Sequence, residues 1–75
     1  MRRVVNGVLY DTEKSDLVYF DVSKTRKYYM TKKRRFFVLF KNGLIEPVTE
    51  DFMIDLLGTY DIEKYIEIFG EPEEG

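Results

Sequence analysis

The chain has 75 residues and a mass of 9.0 kDa, and its lack of cysteine and histidine excludes disulfide bonds and the usual ligand sets of structural zinc. The formal net charge of −2 conceals an asymmetry, because residues 1–45 carry eleven Lys or Arg and four Asp or Glu, whereas residues 46–75 carry one lysine and ten acids. The two parts have net charges of +7 and −9, within what this length predicts to be a single domain.

The first half of the chain has the pattern of antiparallel strands. Asn6-Gly7 lies between two β-prone segments and predicts an N-terminal hairpin, because both residues tolerate a positive φ. Further extended segments are predicted over residues 17–22, 26–31, 35–41 and 44–46. Polar or glycine-containing turns separate them, over residues 11–16, 23–25, 32–34 and 42–43.

Residues 36–40 form an unbroken apolar run, so this strand is expected to be central and covered on both faces. Two short helices are able to cover one of these faces. The other face then needs the N-terminal hairpin, a second copy of the chain, or a ligand.

The second half of the chain has helical periodicity. Thr49 and Asp61 are predicted N-caps of two amphipathic helices, and Gly70 is expected to end the second. The predicted fold class is therefore α+β. It consists of a small antiparallel β-meander of about four or five strands, including the Asn-Gly hairpin, followed by two short amphipathic C-terminal helices. Residues 1–70 are predicted to form the single domain, and residues 71–75 a flexible acidic tail.

The composition argues against an enzyme, and no catalytic residue, cofactor or metal site is predicted. Ser15 and Ser23 lie in predicted turns with no base beside them. The carboxylates of residues 11–16 share a loop, but Lys14 lies among them and a solvated turn is the favoured interpretation. No apolar run approaches the ~20 residues that span a bilayer, so no membrane contact and a cytoplasmic location are expected.

Residues 24–37 hold seven of the twelve basic residues, interleaved with aromatic ones. Single-stranded nucleic-acid binders use such patterns, because cations neutralise phosphates and aromatic rings stack on bases. The candidate binding residues are Arg26, Tyr28, Lys32, Lys33, Arg34 and Arg35. In the competing interpretation at least one tyrosine packs on the core, and the cations discourage edge-to-edge aggregation or attract the acidic helices of the same molecule.

Two other functions remain open on the sequence alone. One is an inhibitor-like protein whose acidic helical face engages a basic protein, with candidate residues Glu50, Asp51, Asp55, Glu63 and Glu67. The other is a homodimer that covers an exposed sheet face. The leading interpretation is a non-catalytic interaction module of unknown partner, for which nucleic acid and a basic protein are the candidates. The chain is expected to be a monomer or a homodimer.

Several short motifs resemble a group of small uncharacterised proteins encoded by Gram-positive bacteria, their phages and their integrative elements. The matching segments are Asn6-Gly7-x-x-Tyr10-Asp11-Thr12-Glu13, Tyr29-x-Thr31-Lys32-Lys33 before an aromatic strand, Glu46-Pro47-Val48-Thr49-Glu50 and Glu67-Ile68-Phe69-Gly70. Similar chains have the patterns NGxxYDT, TKKG and PLTEEEA. The resemblance implies a bacterial cytoplasmic setting and an accessory or anti-defence role, and it brings no established activity.

This chain departs from that group at two places. Arg34 stands where similar chains have glycine, so its turn is expected to take another geometry. The Asn42-Gly43 link is also shorter than the loop that similar chains carry, and a ligand of that loop is not expected to bind here.

Overall fold

Six strands are followed by two helices in the computed structural model, which describes residues 1–75. The elements are β1 (Arg2–Val5), β2 (Val8–Asp11), a 3-10 turn (Thr12–Lys14), β3 (Asp16–Asp21), β4 (Arg26–Met30), β5 (Phe36–Leu39), β6 (Ile45–Val48), α1 (Glu50–Tyr60) and α2 (Ile62–Phe69). The last four strands form one antiparallel sheet in chain order, β3-β4-β5-β6, and β1 and β2 form a sheet of their own. The predicted α+β class, with a β-meander before two helices, is confirmed.

The N-terminal hairpin forms because Asn6 and Gly7 both take the left-handed conformation. Their φ angles are 51° and 77°, and Val5 pairs directly with Val8 across the turn. Such a two-residue turn matches the twist of the strands on either side of it. The hairpin packs on the four-stranded sheet, where the Arg3 guanidinium donates a 2.6 Å hydrogen bond to the backbone oxygen of Ile45.

The central strand β5 is covered on both faces, as its apolar sequence predicts. Phe36 and Val38 lie on the face that packs against the two helices, in a cluster completed by Val18, Tyr28, Met53, Leu57 and Ile68. Phe37 lies on the other face, where Tyr10 of the hairpin packs over it with ring centroids 5.4 Å apart. The hairpin therefore covers the second face of β5, and β5 needs no second copy of the chain to bury its side chains.

A β-bulge at Val18 changes which residues of β3 face the helices. The pairing passes from Leu17 opposite Tyr29 to Tyr19 opposite Tyr28, so Val18 has no partner on β4. Val18 and Tyr19 consequently both pack against the helix-side cluster, although strict alternation would place them on opposite faces. The bulge also interrupts the exposed edge of the sheet, which discourages pairing with another chain.

Both predicted helix caps are present. The Thr49 hydroxyl accepts a hydrogen bond from the Phe52 amide, and the Asp61 carboxylate accepts one from the Lys64 amide, each at 3.1 Å. Gly70 ends α2 with a φ of 91°, as its position predicts. Neither helix is both long and apolar enough to cross a membrane.

The turn between β4 and β5 keeps the backbone conformation that glycine favours. Arg34 has a φ of 61°, and its amide donates a 2.9 Å hydrogen bond to the Thr31 oxygen. The expectation that arginine forces another turn geometry at this position is therefore wrong. The left-handed conformation is strained for arginine. A hydrogen bond from the Arg34 guanidinium to the backbone oxygen of Ile68 in α2 compensates for this strain.

Candidate functional site

The predicted basic surface is divided between the two ends of the four-stranded sheet. Arg26 begins β4 and Met30 ends it, which separates the two ends by about 13 Å at ~3.3 Å per residue. Arg26 lies at the end that also carries Lys24 and Lys41, and these three residues line one cavity. Residues 32–35 lie at the opposite end. The cluster is continuous in the sequence but forms two surfaces in space.

A cavity of about 350 Å³ lies between the N-terminal hairpin and the turn that joins β4 to β5. Four cationic side chains line it: Lys14, Lys32, Lys33 and Arg35. Ser15 and Thr31 also line it, and no aromatic residue does. We call these four cations and the space between them the basic cavity. Its composition favours an anionic ligand that is held by charge and hydrogen bonds.

No carboxylate forms an ion pair with the four cations of the basic cavity. The chain has two ion pairs, Arg3 with Glu46 at 3.3 Å and Lys64 with Glu67 at 2.6 Å, and neither includes a residue of the cavity. All four cationic residues are exposed. Their charges are therefore available to a ligand, since the acidic helices of the same molecule form no ion pair with them.

One acidic residue lines the basic cavity. Asp11 is buried, and its carboxylate accepts a 2.9 Å hydrogen bond from the Glu13 amide. This bond caps the 3-10 turn that carries Lys14, so Asp11 has a structural role there. With Asp11 counted, the charged side chains around the cavity still have a net charge of +3.

Two of the predicted binding residues are engaged elsewhere in the fold. Tyr28 is only 3% exposed and lies between Tyr19 and Phe52, with ring centroids 6.3 and 5.8 Å away. Its ring is not accessible to a base. The prediction that Tyr28 belongs to the binding surface is therefore wrong, and Tyr28 is a core residue. Arg34 belongs to the turn of residues 32–35, which we call the basic turn. Its guanidinium donates a hydrogen bond to the backbone oxygen of Ile68 in α2.

Tyr29 and Arg26 also have aromatic partners within the chain. The Tyr29 ring stacks on Phe37 at 5.1 Å with an angle of 11° between the ring planes. The Arg26 guanidinium lies 5.1 Å from the centre of the Phe40 ring at the far end of the sheet. Lys32, Lys33 and Arg35 are therefore the predicted residues that the fold brings together.

The sequence pattern did not identify Lys14 as part of this site. Lys14 ends the 3-10 turn between β2 and β3, eighteen positions before Lys32, the first cation of the basic turn. Its approach to Lys32 and Arg35 depends on how the hairpin packs on the sheet, which no local motif specifies. The polar character of residues 11–16 was the only available signal, and it is also typical of an ordinary surface loop.

The acidic candidates lie on the two helices. Glu50, Asp51, Asp55 and Glu63 are exposed and outside any ion pair. Glu67 is exposed and binds Lys64, and this hydrogen bond is the main reason that the pKa of Lys64 is raised above its ordinary value. The acidic residues therefore form a second surface, distinct from the basic cavity.

Comparison of the chain with protein-family models, curated proteins and solved structures gave no match. The resemblance to small proteins of Gram-positive bacteria and their phages stays a prediction.

Proposed function

We propose that the chain is a non-catalytic interaction module that contacts the phosphate groups of nucleic acid through the basic cavity. The observation that carries this proposal is the convergence of Lys14, Lys32, Lys33 and Arg35 without any ion pair to neutralise them. Cations brought together from two separate segments concentrate positive potential in a recess. A recess of that kind attracts a polyanion such as a nucleic-acid backbone.

The groups around the cavity are those that proteins use to bind phosphate. Lysine supplies a point charge, and the guanidinium of Arg35 is able to donate two parallel hydrogen bonds to one phosphate. The hydroxyls of Ser15 and Thr31 add shorter-range donors at the same cavity. A volume of about 350 Å³ is at the lower end of ligand sites, which suits one phosphate and its sugar, while the exposed cations around the cavity are free to contact the neighbouring phosphates of the same strand.

The proposed mode of binding differs from the one that the sequence pattern predicts. Base stacking needs exposed rings, but Tyr28 is buried and Tyr29 is stacked on Phe37. Without rings in the basic cavity, contact is with the backbone of the nucleic acid and is insensitive to its sequence. Binding is then expected to depend steeply on salt, because each neutralised phosphate releases counterions.

Fluorescence anisotropy with labelled single-stranded and duplex DNA tests this proposal. Four phosphate contacts predict a slope of roughly −3.6 for the logarithm of the binding constant against that of the salt concentration on duplex DNA. The double substitution Lys33→Gln and Arg35→Gln is expected to reduce the magnitude of this slope by about 2, because two phosphate contacts are lost. The matched control is Lys24→Gln with Lys41→Gln, which removes the same charge at the opposite end of the sheet.

Two results would overturn the proposal. One is an unchanged anisotropy at low salt with tens of micromolar protein. The other is an equal loss of affinity in the two double variants, which would mean that overall charge matters and the basic cavity does not. Circular dichroism of each variant establishes that it is folded before binding is compared.

A further inference from the structure

A third cavity, of about 330 Å³, lies between α1 and α2 on the acidic part of the chain. Its apolar wall consists of Ile54, Ile62 and Tyr65, and Asp55 is the only charged residue that lines it. Gly58 and Pro72 complete its surface, together with Thr59. We call this space the interhelical slot. It shares no residue with the basic cavity.

The glycine in α1 is what leaves part of this slot open. Gly58 lies inside the helix, where glycine is less favourable than alanine. A Cβ atom added there would lie 3.8 Å from the nearest atom of the Tyr65 ring, which is an ordinary van der Waals contact. Packing therefore does not require glycine, and neither does the backbone, which is helical. The open space beside Tyr65 is the feature that a larger side chain would remove.

The lining of the interhelical slot matches one kind of side chain. Lysine and arginine have a long apolar stem and a charged head, and they bury the stem along apolar surface while the head stays near water. Ile54 and Ile62 supply an apolar surface, the Asp55 carboxylate supplies an opposite charge, and Tyr65 supplies an aromatic ring of the kind that attracts a cation. No lysine or arginine of this chain lines the slot.

We propose that the interhelical slot binds a lysine or arginine side chain from a basic segment of a partner protein. Charge complementarity identifies the occupant, because residues 46–75 have a net charge of −9. Glu63 is exposed without an ion pair on α2, and Pro72 brings the acidic tail to the edge of the slot. The inference does not rest on nucleic-acid binding, since the two surfaces lie on different elements.

NMR titration of the ¹⁵N-labelled chain tests this proposal at residue level. The probes are a hexalysine peptide and N-acetyl-lysine methylamide, and the control is the same compound acetylated on its side chain, which keeps the stem and loses the charge. We expect shift changes confined to residues 54–65 with the charged probes. Asp55→Asn is expected to weaken hexalysine binding about three- to fivefold. Asp51→Asn, on the same helix but outside the slot, is the matched control and should change it less than about twofold.

Gly58→Ala separates binding from folding. Alanine is the better helix former, so Tm is expected to rise by about 4 °C, while its methyl group occupies the slot and weakens hexalysine binding. The proposal is overturned if the shifts spread over all the acidic residues, if the uncharged compound binds equally well, or if Asp51→Asn weakens binding as much as Asp55→Asn. Shifts at residues 54–65 that grow with protein concentration in the absence of probe would identify a second copy of the chain as the occupant, and would overturn the assignment to another protein.

Discussion

The guanidinium of Arg34 donates a hydrogen bond to the backbone carbonyl oxygen of Ile68, and this contact joins the β4–β5 turn to the last turn of α2. The carbonyl groups at a helix C-terminus lack partners within the helix and carry a partial negative charge, which a cation stabilises. The same residue has a φ of 61°, a conformation that is unfavourable for arginine. Arg34 therefore stabilises the packing of α2 and contributes less to the basic surface than its position in the sequence indicates.

Two substitutions at Arg34 are expected to separate strain from bonding. Arg34→Ala loses the hydrogen bond and keeps the left-handed conformation, so the free energy of unfolding should fall by about 1 to 2 kcal/mol. Arg34→Gly loses the same bond but relieves the strain, and it should be more stable than the alanine variant by about 1 kcal/mol. Urea unfolding followed by circular dichroism measures both differences. An alanine variant as stable as the glycine variant would contradict the left-handed turn.

Replacing Tyr28 is expected to affect stability and to leave nucleic-acid binding unchanged. Tyr28→Leu removes a buried ring that lies between Tyr19 and Phe52, and the free energy of unfolding should fall by about 1 to 2 kcal/mol. The folded variant should bind labelled DNA as tightly as the original chain, because the ring is not accessible to a base. Weaker DNA binding at a temperature where the variant is fully folded would mean that Tyr28 does contribute to the binding surface.

The hairpin is expected to contribute to stability chiefly through the side chain that covers Phe37. Tyr10→Ala leaves a space over the fully buried Phe37 ring, and the free energy of unfolding should fall by about 3 kcal/mol. Leu9→Ala is the matched control, since Leu9 is the next residue in β2 and is 44% exposed, and it should change stability by less than about 1 kcal/mol. Urea unfolding compares the two variants. Equal losses would mean that the hairpin does not pack as described.

A local hydrogen bond is expected to control the titration of Asp21. The Ser23 hydroxyl donates to the Asp21 carboxylate at 2.7 Å, and this bond is the main reason that the pKa of Asp21 is below its ordinary value. Its stabilising effect is therefore present above the ordinary pKa of about 3.9 and is lost as the pH falls through the lower, folded value. Ser23→Ala should raise the pKa of Asp21, as measured by NMR titration of its side-chain carboxyl carbon. Ser15→Ala, the control at the other serine, should leave it unchanged.

Elements that depend on nearest neighbours could be predicted from the sequence. The Asn6-Gly7 turn forms because two adjacent residues tolerate a positive φ, and the caps at Thr49 and Asp61 form because each side chain reaches an amide three residues ahead. These interactions are complete within four residues of chain. Because they do not depend on distant residues, tertiary packing leaves these local structures in place.

The bulge at Val18 and the burial of Tyr28 against the helices could not be predicted in the same way. Alternation along β3 gives no sign of an extra residue, because the bulge exists only relative to its pairing with β4. The sequence indicated that at least one of two adjacent tyrosines would pack on the core. Which of them contacts the helices was decided by the register of the sheet, which places Tyr28 opposite Val38.

The α+β class and the opposite charges of the two halves follow from the sequence, because periodicity, capping and charge are properties of residues close together in the chain. Where that charge acts depends on tertiary contacts. An extended strand separates Arg26 from Lys32, and the packing of the hairpin brings in Lys14 from a distant segment. Strand pairing and hairpin packing are long-range contacts, so the basic cavity and the interhelical slot exist only in the folded chain.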